Sequence, residues 1–222
     1  MKKVKLIFGL GITVLLLSTL FLMLTQKGWA PNGNFLERMM SRNSSDSIIV
    51  NIQPLDGITD VNAAANQLDV FLKDLAPKPF KIKILPHRES PDSMYNNNHT
   101  RFRARKLMQF LHETTTKGEF TIGVTDRDIS TAVHGQDDYG VLGLSSLGSK
   151  RACIVSTFRL KYRKDLWKLM AHEFIHGFFH QHHCSADDDA CIMQDAKGKN
   201  PKFENKIYIC PICVCSICNE YN

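Results

Sequence analysis

Between Asp165 and Cys184 the chain reads DLWKLMAHEFIHGFFHQHHC, which places five histidines, a glutamate and a cysteine at the end of one apolar helix. His172 and His176 are four residues apart. On a helix that spacing stacks them one turn above each other, so both imidazoles can close on one ion. Such a pair is a zinc clamp. Glu173 lies next to the first histidine and points along the rim of the site. There a carboxylate can hold and deprotonate a zinc-bound water whose pKa the metal has lowered to ~7. The chemistry is peptide-bond hydrolysis, with Glu173 as general base and then general acid. The pentapeptide alone also arises by chance on amphipathic helices, so the residues after it carry the decision.

His180, His182 and His183 compete for the place of a third ligand. His180 continues the face of His172 and His176, but eight residues of helix put it about 12 Å from His172 at ~1.5 Å per residue. One zinc with bonds of ~2.0–2.1 Å cannot take both unless the helix breaks early. Downstream come Cys184, then Cys191-Ile192-Met193, then Cys210-Pro211-Ile212-Cys213. Metzincin metallopeptidases extend the motif to HExxHxxGxxH, with the third ligand delivered by a turn after the helix and a methionine beneath the metal. With its histidine-cysteine pair, Cys-x-Met and later CxxC, the chain closely resembles the archaemetzincins, in which four cysteines hold a second, structural zinc. The stretches IKILPHRESPDSMYNNNHTRFRARKLMQFL, TIGVTDRDIS and the run from YGVLGLSS to CIVSTFRL look like archaemetzincin segments in the same order. The resemblance thus covers nearly the whole chain after the N-terminal segment.

The resemblance implies a peptidase with two zinc ions, one catalytic and one structural. His172, His176 and His182 would hold the first, with His183 as the alternative third ligand. Cys184, Cys191, Cys210 and Cys213 would hold the second, and Met193 would be the methionine of the turn. Three departures bear on the ligand set: Phe179 stands where the family has glycine, His183 intervenes before Cys184, and the gap from Cys184 to Cys191 is long. His182 fits the count from His172 provided the chain turns at Phe179, where a left-handed backbone costs a non-glycine residue roughly 1–2 kcal/mol. His183 keeps the histidine-cysteine dipeptide but needs one extra residue in the turn. The count favours His182.

The chain has 222 residues, 43% of them hydrophobic, enough for one well-cored domain and short for two. Its formal net charge of +6 falls by four, to +2, once Lys2, Lys3, Lys5 and Lys27 around the N-terminal apolar run are set aside. No basic patch with interleaved aromatics appears, so a nucleic-acid partner is not expected. The partners expected are a peptide or protein substrate and a membrane, for a chain that acts as a monomer. The run from Leu6 to Leu24 lies at the boundary between a signal peptide and a spanning helix of about 20 residues. Residues 1–30 read as a signal anchor or signal peptide and 31–47 as a linker. The lysines before the run place the catalytic domain, 48–222, on the non-cytoplasmic side, anchored or exported after cleavage.

Six of the seven cysteines crowd into residues 184–218. Their CxxC spacings suit a metal better than disulfides between distant parts of a fold. Cys215 and Cys218 exceed one ligand set and are open to roles as substitute ligands or a local disulfide. Cys153, within ACIVSTF, reads as core. The competing function is a non-catalytic zinc module for binding or assembly; the acid at Glu173 argues against it, since a structural site needs none.

The elements that must position these residues follow from periodicity. Ile48 to Gln53 is a β-branched strand, and Thr59 or Asp60 caps a helix with Val61, Leu68, Phe71, Leu72 and Leu75 on one side. Phe80 to Leu85 alternates as a strand, and a basic helix runs from about His99 to Thr115. Phe120 to Val124 is a third strand, ending in an Asp126-Arg127-Asp128 turn, and His134 falls in a loop. Val141 to Ser145 and Ala152 to Thr157 pair before the active-site helix. The plan is α/β with a mixed twisted sheet; the resemblance implies a metzincin-like peptidase domain with an active-site helix and a loop-rich C-terminal subdomain stapled by zinc.

Overall fold

Seven residues, IIVNIQP, six of them β-branched or amide-bearing, form the strand β1, Ile48–Pro54, inside the main sheet. The computed structural model describes residues 47–75, 79–133, 135–146, 152–195 and 202–220. The apolar run at 1–30 and all of the expected linker but Ser47 lie outside the described residues. Among the described residues no helix is long and apolar enough to cross a membrane.

The main sheet has five strands in the order β2-β1-β4-β8-β7, adding β2 Phe80–Ile84, β4 Phe120–Thr125, β8 Ala152–Ser156 and β7 Gly143–Ser145 to β1. Pairs β1·β2, β1·β4 and β4·β8 are parallel, and β7 pairs antiparallel with β8, so the sheet is mixed. Every residue of β4 and β8 is buried. Their apolar runs, rather than alternation, mark strands covered on both faces. Helix α1, Asn62–Leu75, buries Ala64, Ala65, Leu68 and Leu72, and Asp60 Oδ1 accepts the Asn62 amide at 2.8 Å at its start. Helix α2, Ala104–Thr114, buries Ala104, Leu107, Met108 and Leu111. Two apolar clusters result, one joining α1 to the active-site helix and one beneath α2.

The basic helix begins later than its composition suggests. His99 takes a φ of 51°, and the short strand β3, Phe102–Arg103, comes before Ala104. The segment read as a loop around His134 is instead a hairpin of β5, Ile129–Val133, and β6, Gln136–Val141, with β3 beside β5; His134 itself lies outside the described residues. Polar QDDYGV shows no alternation of hydrophobicity because it is half-exposed on both faces. Charge fixes the hairpin instead. Asp128 accepts Arg101 Nε at 2.7 Å and Arg159 Nε and Nη2 at 2.8 Å each, while Arg101 also reaches Asp138 at 3.1 Å. Despite desolvation, the two guanidiniums hold the Asp128 carboxyl below the ordinary range.

After a 3₁₀ turn at Arg163–Asp165 comes α3, Leu166–Phe179, the helix that carries the HEFIH motif. Twelve of its fourteen residues are buried, since it packs on β8, β7 and α1. A helix absent from the sequence reading, α4, covers Pro211–Glu220. Proline at its first position fits, because that residue's N–H would have no partner in the helix.

Candidate functional site

The last two turns of α3 carry His172, Glu173 and His176, each no more than 9% exposed. Phe174 locks the helix from behind, packing edge-on against Phe120 at 5.0 Å and Phe80 at 5.6 Å. Two glycines let the site close up. A Cβ on Gly177 would strike Ser145 Oγ and come within 2.9 Å of Phe120 Cζ, so only glycine lets α3 approach β7. A Cβ on Gly143, in β7 itself, would lie 2.6 Å from both Cγ and Oε1 of Glu173. The carboxylate therefore rests against bare backbone.

Each ring is fixed through Nδ1. His172 Nδ1 donates to Ile192 O at 2.8 Å, and His176 Nδ1 to Gln181 O at 2.5 Å. A carbonyl only accepts, so both protons sit on Nδ1 and both Nε2 atoms present lone pairs, 3.1 Å apart. Burial keeps the rings neutral: it drives the pKa of His172 well down and that of His176 to about 4. Two lone pairs converging in a buried site fit a cation; tetrahedral zinc with bonds of ~2.0–2.1 Å sets ligand nitrogens about 3.4 Å apart. The ring of His183 completes the group, its centroid 4.6 Å from that of His176, and the three ligand atoms lie within 4.8 Å of one another. Burial alone raises the Glu173 carboxyl to about 8.

The second cluster is Cys184, Cys191, Cys210 and Cys213, whose sulfurs also lie within 4.8 Å of one another. Cys184 and Cys210 are 3.5 Å apart and Cys191 and Cys213 are 4.0 Å apart, and none is in a disulfide. Zinc–sulfur bonds of ~2.3 Å imply about 3.8 Å between tetrahedral sulfurs, so the set fits the ion. Burial pushes the Cys191 thiol up to about 11 and Cys213 further, so a metal entering here must expel protons. Cys210 directly precedes α4 and Cys213 sits in its first turn; Cys191 is set by a bridge to Tyr208, with Ile192 N donating to Tyr208 O at 2.7 Å. Cys215 is exposed and Cys218 half-buried on α4, and neither joins the cluster.

A cleft of about 370 Å³ opens over the histidines, with Leu142, Leu144, Leu169 and Phe203 as its apolar walls. No protein-family model and no curated protein matches the chain. Solved structures do. An archaemetzincin from Methanopyrus kandleri superposes with a TM-score of 0.66 at 20% identity, over 81% of this chain and 97% of that one. An archaemetzincin from Archaeoglobus fulgidus, in complex with malonate, gives 0.52 at 21% identity over 76% and 99%. A zinc-dependent peptidase from Methanocorpusculum labreanum gives 0.54 at 18% over 76% and 99%. This chain has the archaemetzincin fold.

Within that fold the turn after α3 departs from the expectation. Phe179 stays helical, and the left-handed residue is His180, with φ 56° and ψ 19°. Phe179 is 2% exposed and packed among Phe80, Phe174 and Phe178, so the turn moves one residue on. The histidine three residues beyond the turn moves with it, from His182 to His183. His182 lines the same cleft but is not in the cluster. Met193 is fully buried, its carbonyl accepting the Cys184 amide at 2.8 Å. Sequence reasoning missed Gly143, Lys206 and Phe203. A lone glycine in a strand and a lone lysine in a polar loop give no periodic or motif signal, and only contact reveals them.

Proposed function

We propose that the chain is a zinc-dependent peptidase of the archaemetzincin type. The convergence of the His172 and His176 Nε2 lone pairs with His183, beside Glu173 on the floor of a cleft, carries this reading. His172, His176 and His183 would hold one zinc, and Cys184, Cys191, Cys210 and Cys213 a second. When bound at the histidines, zinc supplies a Lewis acid that acidifies water and polarises a carbonyl.

The chain's own residues do the rest. Glu173 takes the proton of the attacking water on its carboxylate and delivers it to the leaving amine nitrogen. Its neighbour Gly143 leaves room for that carboxylate. Among the described residues β7 is the outer strand of the sheet, and its edge can bind an extended peptide by main-chain hydrogen bonds. Leu142, Leu144, Leu169 and Phe203 exclude water and accept an apolar side chain next to the scissile bond.

The test is Glu173→Gln, which keeps the shape of the side chain and removes the base. Hydrolysis of a peptide library should fall by about 10²–10⁴-fold while zinc content holds. A variant that cleaves at the wild-type rate with zinc bound rules out the role of Glu173. A wild-type chain that binds zinc and cleaves nothing is the non-catalytic module instead.

A further inference from the structure

Lys206 is 5% exposed, and its ammonium is shared between two backbone oxygens: Cys191 O at 3.1 Å and Gln194 O at 3.0 Å. Those are the two ends of one turn, which Gln194 N closes on Cys191 O at 3.1 Å. The carbonyls between them are also engaged. Ile192 O accepts His172 Nδ1 at 2.8 Å, and Met193 O accepts the amide of Cys184, the residue after His183, at 2.8 Å. Cys191 itself belongs to the four-thiol cluster. Four residues thus touch both candidate centres, and a buried cation grips the segment at each end.

The charge at this place has a reason. Burial works against the Lys206 charge and lowers its pKa, opposed by Cys191, Asp189, Cys184 and Asp188, and four thiolates around one zinc would leave a net charge of −2. Buried charge needs a partner, and a buried lysine that also donates to two carbonyls supplies one while fixing their positions.

We infer that Lys206 is a positioning residue coupling the two metal centres: it holds the 191–194 turn so that a filled cysteine centre sets His172 and His183 for metal. The inference rests on the zinc-peptidase reading, but its test does not depend on turnover. Ligands outside a metal's immediate shell change affinity by about 10–100-fold when removed, because they set ring orientation and basicity.

The experiment uses the full chain loaded with cobalt, whose thiolate charge-transfer and imidazole-site bands report the two centres separately. Lys206→Met keeps the stem and removes charge and donors; Lys206→Gln keeps an amide donor without charge. Under a competing chelator, Lys206→Met should release metal from the histidine centre about 10–100-fold more readily than wild type, with the cysteine bands still present. Lys206→Gln should shift the same way by less, and decides the matter if Lys206→Met does not fold. Wild-type affinity at the histidine centre in either folded variant overturns the coupling. So does a lower unfolding midpoint with no change in that affinity, the result of a purely structural lysine. A wild-type chain that takes up no cobalt at the histidines, or fills both centres and cleaves nothing, counts against the zinc-peptidase reading. Normal loading and cleavage in wild type with unchanged variants counts against the coupling alone.

Discussion

Across the gap between α3 and β7 the Glu173 side chain takes the space that a Cβ at Gly143 would need. A methyl at position 143 would occupy the space of Glu173 Cγ and Oε1. A displacement of about 1 Å in a reacting group can cost about 10²-fold. Gly143→Ala should therefore lower kcat on peptide substrates by about that factor with zinc content unchanged; an unaltered kcat would remove the positioning role. Protonation gives a second prediction. With the histidine centre stripped of metal, Glu173 titrates at about 8 in the fold against its ordinary 4.5, so it contributes stability at low pH that is lost as pH rises towards 8. His176, lowered to about 4, does the reverse, losing stability as pH falls from 6.5. The two oppose below pH 6.5, which leaves the interval from 6.5 to 8 to Glu173. There the stripped protein should lose about 2 kcal/mol by urea unfolding. Glu173→Gln should abolish that loss, and a loss of equal size in the variant would assign it to another group.

At the scale of the element, the end of α3 sets which histidine comes beside His172 and His176. The aromatic cluster holds Phe179 in the helix, and His180 accepts the left-handed conformation at a cost of about 1–2 kcal/mol. His180→Gly should recover about 1 kcal/mol in chemical denaturation, since glycine adopts that conformation without a Cβ clash. On the same turn, His183→Ala should release the histidine-centre metal while His182→Ala retains it. The opposite order, measured by metal affinity, would return the ligand to the residue favoured by counting. The count from His172 pointed to His182 on the assumption that the chain bends at Phe179, where the metzincin motif has glycine, whereas the structure bends at His180 and groups His183 with His172 and His176. Packing of one buried ring shifted the bend.

Over the whole molecule, Ile192, Met193, Phe203 and Ile217 of the region after α3 join the same apolar core as the mixed sheet, but that region has few regular elements, and four thiols lie together in it. Elemental analysis should find two zinc ions per chain. If the apolar N-terminal run does send the domain to an oxidising compartment, thiols left free there would be lost to disulfides. The four clustered cysteines should then resist maleimide until a strong chelator is added, with exposed Cys215 labelling first. One zinc per chain with those four cysteines in disulfides would overturn the second centre.

The fold class was legible from periodicity, because β1, β4 and β8 are apolar runs and α1 and α3 carry apolar faces whose burial dictates where they go. HEFIH was legible because helix geometry alone brings residues four apart to one ion. The four cysteines could be named from a resemblance, although nothing local brings Cys184 to Cys210, 26 residues away and 3.5 Å from it. The β5–β6 hairpin was not legible, since β6 is polar and half-exposed and the hairpin is held by the Arg101–Asp128–Arg159 network, whose members are distant in sequence. The place of His183 beside His172 and His176, the room made by Gly143 and the grip of Lys206 belong to the tertiary structure alone. Each depends on which surfaces meet across the fold, and a linear pattern records only which residues are near along the chain.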